Sequence, residues 1–424
     1  MNSKILCLFL VLSGLSVGLS CFGANAPVKI DEIRITGLTH TKPQVVLTEL
    51  DIKTPAKLSH EDLANALQRV WNLNLFVQVK HKIETIDGKS VLTLTMEDRW
   101  TLVPIAKFGG GGGVSFFAVG AYNPNVLGKY LELGAQFESL GGRSSFVGWF
   151  RKPQLFGDRK ARLGADVWNL SRNRLFYDED RKEIGGFNTM RRRLNIFYDY
   201  FVTDFFRPGI ALDVQHDDTS ESGLAKDTIE DNKKLNRDLE TKDEYQFVRL
   251  YATIGRQDIE EELIRGFALM PSLQYQVNES DDPLFLYRGD LLWAKDFKNR
   301  HNIAYRLSTG HNSRSTLSQD AFIGGLEHLR GFLDSQFQVT NFAFQNLEYR
   351  FPLRYSTRFT LQQVVFHDMG QLDGAKEKSF VQAVGTGFRF IFPKIYRLNL
   401  RLDLGYSYGD FPGSNLSFGL QQLF

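Results

Sequence analysis

Residues 396–408 read Tyr396-Arg397-Leu398-Asn399-Leu400-Arg401-Leu402-Asp403-Leu404-Gly405-Tyr406-Ser407-Tyr408. Successive side chains of an extended chain point to opposite faces. One face therefore carries Leu398, Leu400, Leu402, Leu404, Tyr406 and Tyr408, and the other carries Arg397, Asn399, Arg401, Asp403 and Ser407. Charge on one face, with aliphatic residues and terminal aromatics on the other, is the pattern of a membrane-barrel strand. A strand of a soluble β-sandwich alternates in a similar way, so one segment does not decide the fold. Repetition does. In Lys129–Glu138, Leu131, Leu133, Ala135 and Phe137 oppose Glu132, Gly134 and Gln136; further on, Ala161, Leu163, Ala165 and Val167 alternate with Arg162, Gly164 and Asp166. Read this way, residues 100–424 contain about sixteen strands, starting near 101, 113, 129, 143, 158, 190, 205, 244, 265, 284, 300, 340, 357, 379, 396 and 414. The expected class is an all-β antiparallel transmembrane barrel, and the even count suits a bacterial one.

The rest of the composition agrees. Among 424 residues there are 35 Phe and 37 Gly against 12 Pro, as many short strands and turns require. Residues 1–26 read as a signal peptide: Lys4 precedes the apolar run Ile5–Leu19, and cleavage falls after Ala24-Asn25-Ala26, Ser20 or Gly23. Beyond residue 26 nothing approaches the ~20 apolar residues of a membrane helix. A closed barrel is the remaining way to span a bilayer, so lipids are an expected partner. The net charge of +2 gives no support to a nucleic-acid surface. The two cysteines, Cys7 and Cys21, lie in the leader, and the eight histidines are scattered; no metal centre, cofactor or catalytic cysteine is expected.

Residues 27–99 read as a separate small α+β unit of order β-α-α-β-β. Val28–Thr36 alternates as a strand, and Pro43–Leu50 suits a short helix. Ser59 with Asp62 starts a second helix carrying Leu63, Leu67, Val70 and Trp71; Phe76–Ile83 and Val91–Met96 form a hairpin across Asp87-Gly88. Gly37-Leu38, the helix start at Ser59, Asn72-Leu73-Asn74-Leu75-Phe76, Asp87-Gly88 and Met96-Glu97-Asp98-Arg99 together resemble a POTRA domain, the periplasmic repeat of outer-membrane assembly proteins. The resemblance implies contact with client chains, often by strand addition to the sheet edge, whose unpaired amides and carbonyls accept an extended peptide. A rigid spacer is the alternative.

In the barrel, short turns at Pro124–Gly128, Pro153–Asp158, Thr203–Arg207, Pro352–Thr357 and Pro393–Ile395 alternate with long connections at 171–189, 216–243 and 311–339. Asp217–Asp243 carries nine acidic and five basic side chains and reads as a solvated surface loop.

Within the last long connection come Phe322-Ile323-Gly324-Gly325 and Leu329-Arg330-Gly331-Phe332, followed by Asn346-Leu347-Glu348-Tyr349-Arg350-Phe351-Pro352-Leu353. This resembles the loop motif and following strand of the BamA/TamA-like outer-membrane superfamily, in which the loop folds back into the lumen. Phe366-His367-Asp368-Met369-Gly370 resembles the strand that faces that loop. An arginine inside a barrel needs an acidic partner, and its planar fork suits a carboxylate. The resemblance makes Asp368 the expected partner of Arg330 and Glu348 the second candidate, with Gly370 facing the loop, Gly331 turning it and Phe332 packing beside it. Arg265-Gly266-Phe267 has neither the Gly-Gly prelude nor the Asn-Leu-Glu sequel and reads as coincidence.

Gly109, Gly110, Gly111, Gly112 and Gly113 follow a first strand that contains Pro104, so this strand is expected to pair weakly with the last one. Either that makes a weak seam, or the glycines are simply a flexible first turn. Leu416, Phe418, Leu420, Gln422 and Phe424 alternate to a terminal aromatic, which resembles the C-terminal signal of bacterial outer-membrane barrels. No His-Glu-x-x-His, Gly-x-Ser-x-Gly or phosphate loop marks an enzyme. The resemblance implies a monomeric outer-membrane barrel with a periplasmic POTRA unit, which helps other proteins insert into or cross the membrane. A secretion pore plugged by the Arg330 loop, or a passive surface antigen, remain the other readings.

Overall fold

The computed structural model describes residues 27–235, 237–260, 263–325, 327–356, 359–374, 378–392 and 399–420. The leader, the expected turn at Pro393–Ile395, Gln422 and Phe424 therefore lie outside the described residues.

The N-terminal unit comprises β1 (Val28–Ile30), β2 (Glu32–Thr36), α1 (Pro43–Leu50), β3 (Ala56–Leu58), α2 (His60–Asn72), β4 (Phe76–Ile86) and β5 (Lys89–Asp98). Its main sheet has the order β2-β5-β4, with β2 parallel to β5. The Asp62 amide donates to the Ser59 hydroxyl at 3.0 Å and caps α2, an interaction worth ~1 kcal/mol. Asp87 and Gly88, at φ 51° and 76°, make the tight turn between β4 and β5. Ile30, Val46, Leu50, Leu63, Val70, Leu75, Leu92 and Leu94 fill the core.

Val28–Thr36 is two strands and not one. The Asp31 amide bonds to the Ser90 carbonyl at 2.7 Å while the Ser90 amide donates to the Asp31 carboxylate at 3.0 Å. That exchange breaks the run, so β1 pairs with the three-residue β3 and β2 joins β5.

Sixteen strands then close a barrel. They are β6 (Val103–Gly111), β7 (Val114–Asn123), β8 (Glu132–Leu140), β9 (Arg143–Pro153), β10 (Ala161–Tyr177), β11 (Glu183–Tyr200), β12 (Phe206–Ser220), β13 (Thr241–Glu260), β14 (Leu263–Gln276), β15 (Phe285–Asp296), β16 (Asn302–Asn312), β19 (Asn341–Arg354), β20 (Thr360–Asp373), β21 (Lys378–Ile391), β22 (Asn399–Tyr408) and β23 (Gly413–Leu420). Each matches one strand read from the alternation. Between β16 and β19 a small hairpin, β17 (Ala321–Ile323) and β18 (Phe337–Val339), stands apart from the wall.

The barrel is inverted relative to a soluble protein. On β22, Leu402, Leu404 and Tyr406 face outward and are exposed, while Arg401, Asp403 and Ser407 are buried. On β19 Leu347 and Tyr349 are outside, and Asn346, Glu348 and Arg350 inside. Apolar outside and charged inside excludes the β-sandwich and is the surface of a membrane-spanning barrel.

Two long connections are not loops. β10 and β11 stay paired as far as Tyr177 and Glu183, leaving only 178–182 as a turn. The polar residues there, such as Ser171 and Asn188, point inward and bond to one another at 3.2 Å, which is why a strand looked like a loop in sequence. The acidic segment is likewise built: β12 and β13 extend to Ser220 and from Thr241, and α3 (Lys226–Leu235) packs against β11. The Asn232 side chain donates to the Gly186 carbonyl at 2.9 Å and accepts from the Gly186 amide at 2.8 Å, copying a strand partner. Asp217 is fully buried, with Arg191 at 2.8 Å.

Candidate functional site

The connection from β16 to β19 turns into the lumen. Gly324 and Gly325 have φ 132° and 76°, conformations that favour glycine, and they start the fold-back. Beyond them Arg330 is 1% exposed. Its amide, Nε and Nη2 donate to the Asp368 carboxylate at 3.0, 2.8 and 2.7 Å, and its Nη1 donates to Glu348. The guanidinium also lies 3.5 Å above the ring centroid of Phe366. Asp368 thus takes the fork with both oxygens, and Glu348 takes the remaining nitrogen.

Glu348 is the centre of a wider cluster. It accepts from Arg350 Nε at 2.7 Å and from Arg389 Nη2 at 3.2 Å, and Arg389 Nη1 donates to Asp403 at 2.6 Å. Arg401 Nε lies 4.0 Å from Asp403. The inward registers of β19, β20, β21 and β22 place these groups together, four guanidiniums around three carboxylates. Breaking such a buried set by removing one partner strands a charge, which costs ~3–5 kcal/mol. The sequence reading missed Arg350, Arg389, Arg401 and Asp403 as partners, although each stands on a charged face of an alternating strand.

The neighbouring residues shape the loop. Gly370 leaves room for buried Leu329: a Cβ there would lie 3.0 Å from the Phe344 Cβ and 3.5 Å from Leu329. Gly331 takes φ 87°. Phe332 is buried among Ile323, Leu329, Val339, Phe344 and Val381 and meets Phe337 edge-on at 5.4 Å.

The loop also reaches both strands of the closure. β6 and β23 pair through only Gly110↔Phe418 and Gly109↔Gly419 among the described residues, whereas β6 and β7 share nine pairs. The five glycines divide between two tasks. Gly109, Gly110 and Gly111 lie in β6, where a Cβ on Gly109 would meet the Phe418 carbonyl at 2.6 Å; Gly112 and Gly113 turn the chain at φ 64° and 83°. On one side of the seam the Asp334 amide donates to the Gly112 carbonyl at 2.8 Å. On the other, the Asn415 amide group of β23 donates to the Phe332 carbonyl at 3.0 Å.

At the other end of the barrel, the N-terminal unit sits on two turns. Asp98, at the end of β5, accepts from the amides of Thr39 and His40 at 2.7 Å each and from the Thr41 hydroxyl. Burial pushes its carboxyl up, but these donors outweigh it and hold the group below the ordinary carboxylate range. The loop so fixed grips the β7–β8 turn: His40 Nε2 lies 2.9 Å from the Asn125 carbonyl, Asn125 donates to Thr41 at 2.8 Å, and the Lys42 amide donates to Gly128 at 2.8 Å. Gln154 of the next turn donates to the Val45 carbonyl and to Glu49, at 3.1 and 2.9 Å.

Residues 28–97 match the POTRA family model, described as surface antigen variable number repeat. No curated protein sequence matches the chain. Among solved structures, the chain is similar to BamA from Haemophilus ducreyi lacking POTRA domains 1–3, with TM-score 0.67 and 12% identity over 93% of this chain and 84% of that one. It is also similar to CdiB from Acinetobacter baumannii (TM-score 0.64, 13% identity, 92% and 74% covered) and to CdiB from Escherichia coli (0.63, 13%, 92% and 76%). Residues 28–97 are thus one POTRA unit, and the chain as a whole, that unit followed by a closed sixteen-stranded barrel, shares its fold with BamA and CdiB.

Proposed function

We propose that the protein is an outer-membrane barrel, with its POTRA unit in the periplasm, that assists insertion or translocation of other polypeptides. The observation that carries this reading is the seam. Among the described residues two pairs, both on glycines of β6, join β6 to β23, and a lumen loop anchored through Arg330 to Asp368 and Glu348 touches both sides of the closure. The glycine side of the seam gives its pairs no side-chain packing, and a seam that opens exposes edges able to accept an incoming strand. Free energy then comes from the client, whose strands become buried in lipid, so no nucleotide or covalent step is needed. The exposed edge of β4 in the POTRA sheet offers a first contact for an extended chain.

The test is the folding rate of an unfolded client barrel in liposomes that carry this protein or its Arg330→Ala variant. Acceleration by the native protein, lost in a variant that itself remains folded, is expected. No acceleration with several clients overturns the insertion reading. A secretion pore is favoured by one observation, the loop seated inside the lumen; it calls for conductance that rises when the loop is released, and a passive surface barrel would give neither result.

A further inference from the structure

Away from the Arg330 cluster, a cavity of about 450 Å³ opens in the lumen beside β10, β11, β15, β16 and the β17–β18 hairpin. Six arginines line it: Arg172, Arg174, Arg191, Arg193, Arg288 and Arg306. Four have carboxylates: Arg172 meets Glu138 at 3.3 Å, Arg191 meets Asp217 at 2.8 Å, Arg193 meets Asp213, and Arg306 meets Asp290 at 3.4 Å. Asp213 is shared with Arg249 at 3.4 Å.

Arg174 and Arg288 differ. Among the described residues neither has a carboxylate within ion-pair distance. Arg174 donates to the Ser335 hydroxyl at 2.7 Å and lies 4.6 Å from the Phe322 ring centroid. Arg288 donates to Asn312 at 2.7 Å and to the Tyr287 and His311 carbonyls at 2.8 and 3.2 Å, with Phe342 at 5.5 Å. The third carboxylate of the wall, Asp320, is held by Ser315, Thr316 and Gln338.

A guanidinium enclosed without a counter-charge is costly. Its planar fork of N–H donors is the natural receptor for an oxyanion. Two such forks in the wall of one cavity, with further arginines between them, call for an occupant that brings negative charge. We propose that the cavity binds a small multivalent oxyanion of the phosphate class, held between Arg174 and Arg288 and bordered by Arg172, Arg191 and Arg193. Because Arg174 also holds Ser335 of the lumen loop, the bound anion stabilises the seated loop. This site stands independently of the insertion reading.

The full chain, refolded in detergent micelles, is heated in sodium phosphate and in sodium chloride of equal ionic strength, and unfolding is followed by gel mobility. Phosphate is expected to raise the midpoint over chloride by roughly 2 °C or more. In the R174Q/R288Q variant this difference disappears. Equal midpoints for the native protein in the two salts overturn the proposal, as does a phosphate effect that survives in the double variant. Should that variant not fold, R288Q alone serves: a diminished difference supports the site and an undiminished one overturns it.

Discussion

The Asp334 amide donates to the carbonyl of Gly112 at 2.8 Å, joining the lumen loop to the turn of the first barrel hairpin. Gly112 has φ 64°, and a Cβ there would stand 2.3 Å from the Asp334 nitrogen. Gly112→Ala is therefore expected to strain the turn and push the loop away, destabilising by ~1–3 kcal/mol. The measurement is the temperature at which gel mobility changes, together with protease cleavage between residues 326 and 340, which should quicken in the variant and stay slow in the native protein.

Arg330 is held by a fork and not by charge alone. Arg330→Lys keeps the charge but loses the two-oxygen contact with Asp368, so it should recover little of the stability lost in Arg330→Ala. Arg330→Ala itself should cost ~3–5 kcal/mol, because Asp368 and Glu348 would remain buried beside fewer cations. A double-mutant cycle with Asp368→Asn, read from urea unfolding, should show a total loss well below the sum of the two single losses. Simple additivity would mean that the pair does not couple.

The pH dependence of the POTRA–barrel junction follows from Asp98. Its folded carboxyl lies below the ordinary value, and an unfolded aspartate titrates near ~3.9. A depressed carboxylate stabilises the fold at pH above the unfolded value and loses that contribution as pH falls through the folded one. The protection of the Thr39, His40 and Thr41 amides, measured against their intrinsic exchange rates, should thus hold from neutral pH down to about 4 and fall below it. In Asp98→Asn that protection should be low at every pH. An unchanged acid profile in that variant would assign the effect to another group.

Gly128 lies where the POTRA loop touches the β7–β8 turn; a Cβ there would meet the His40 carbonyl at 2.0 Å. Gly128→Ala should loosen the POTRA unit from the barrel while leaving barrel heat-stability within about 1 kcal/mol. Spin labels at Glu61 and Asn299 should report one narrow distance in the native protein and a broad distribution in the variant.

The barrel was legible because period-2 alternation survives even where the polar face is charged; fifteen strands begin within three residues of the positions read, and β11 begins seven residues before its expected start near 190. Misreadings fell where polarity normally means solvent. Ser171–Asn188 looked like a loop because its polar residues face the barrel interior, and only pairing partners distant in sequence distinguish that from a surface; Asp217–Asp243 is exposed or half-buried over most of its length, as expected, but also holds two strand ends and α3. The Val28–Thr36 break was invisible because it depends on Ser90, far along the chain. Arg330, Asp368 and Glu348 were expected to meet from motif resemblance, and they do lie together. The cluster of Arg350, Arg389, Arg401 and Asp403 depended on the barrel bringing the inward faces of three strands to one point, which no local pattern records. The division of Gly109–Gly113 between strand and turn likewise needed the position of Ser417 and Asp334.

A Cβ built on Gly111 lies 2.8 Å from the Ser417 Cβ across the seam, and a small local shift brings the pair into the disulfide range of roughly 3.5–4.5 Å. No cysteine follows Cys21 in the chain, so the Gly111→Cys/Ser417→Cys variant gives a single bond across the closure. Client-barrel folding in liposomes would be compared with the bond oxidised and reduced. If the seam opens to admit client strands, oxidation abolishes the acceleration and reduction restores it. Equal acceleration in both states, with the bond confirmed by mass, would contradict an opening seam.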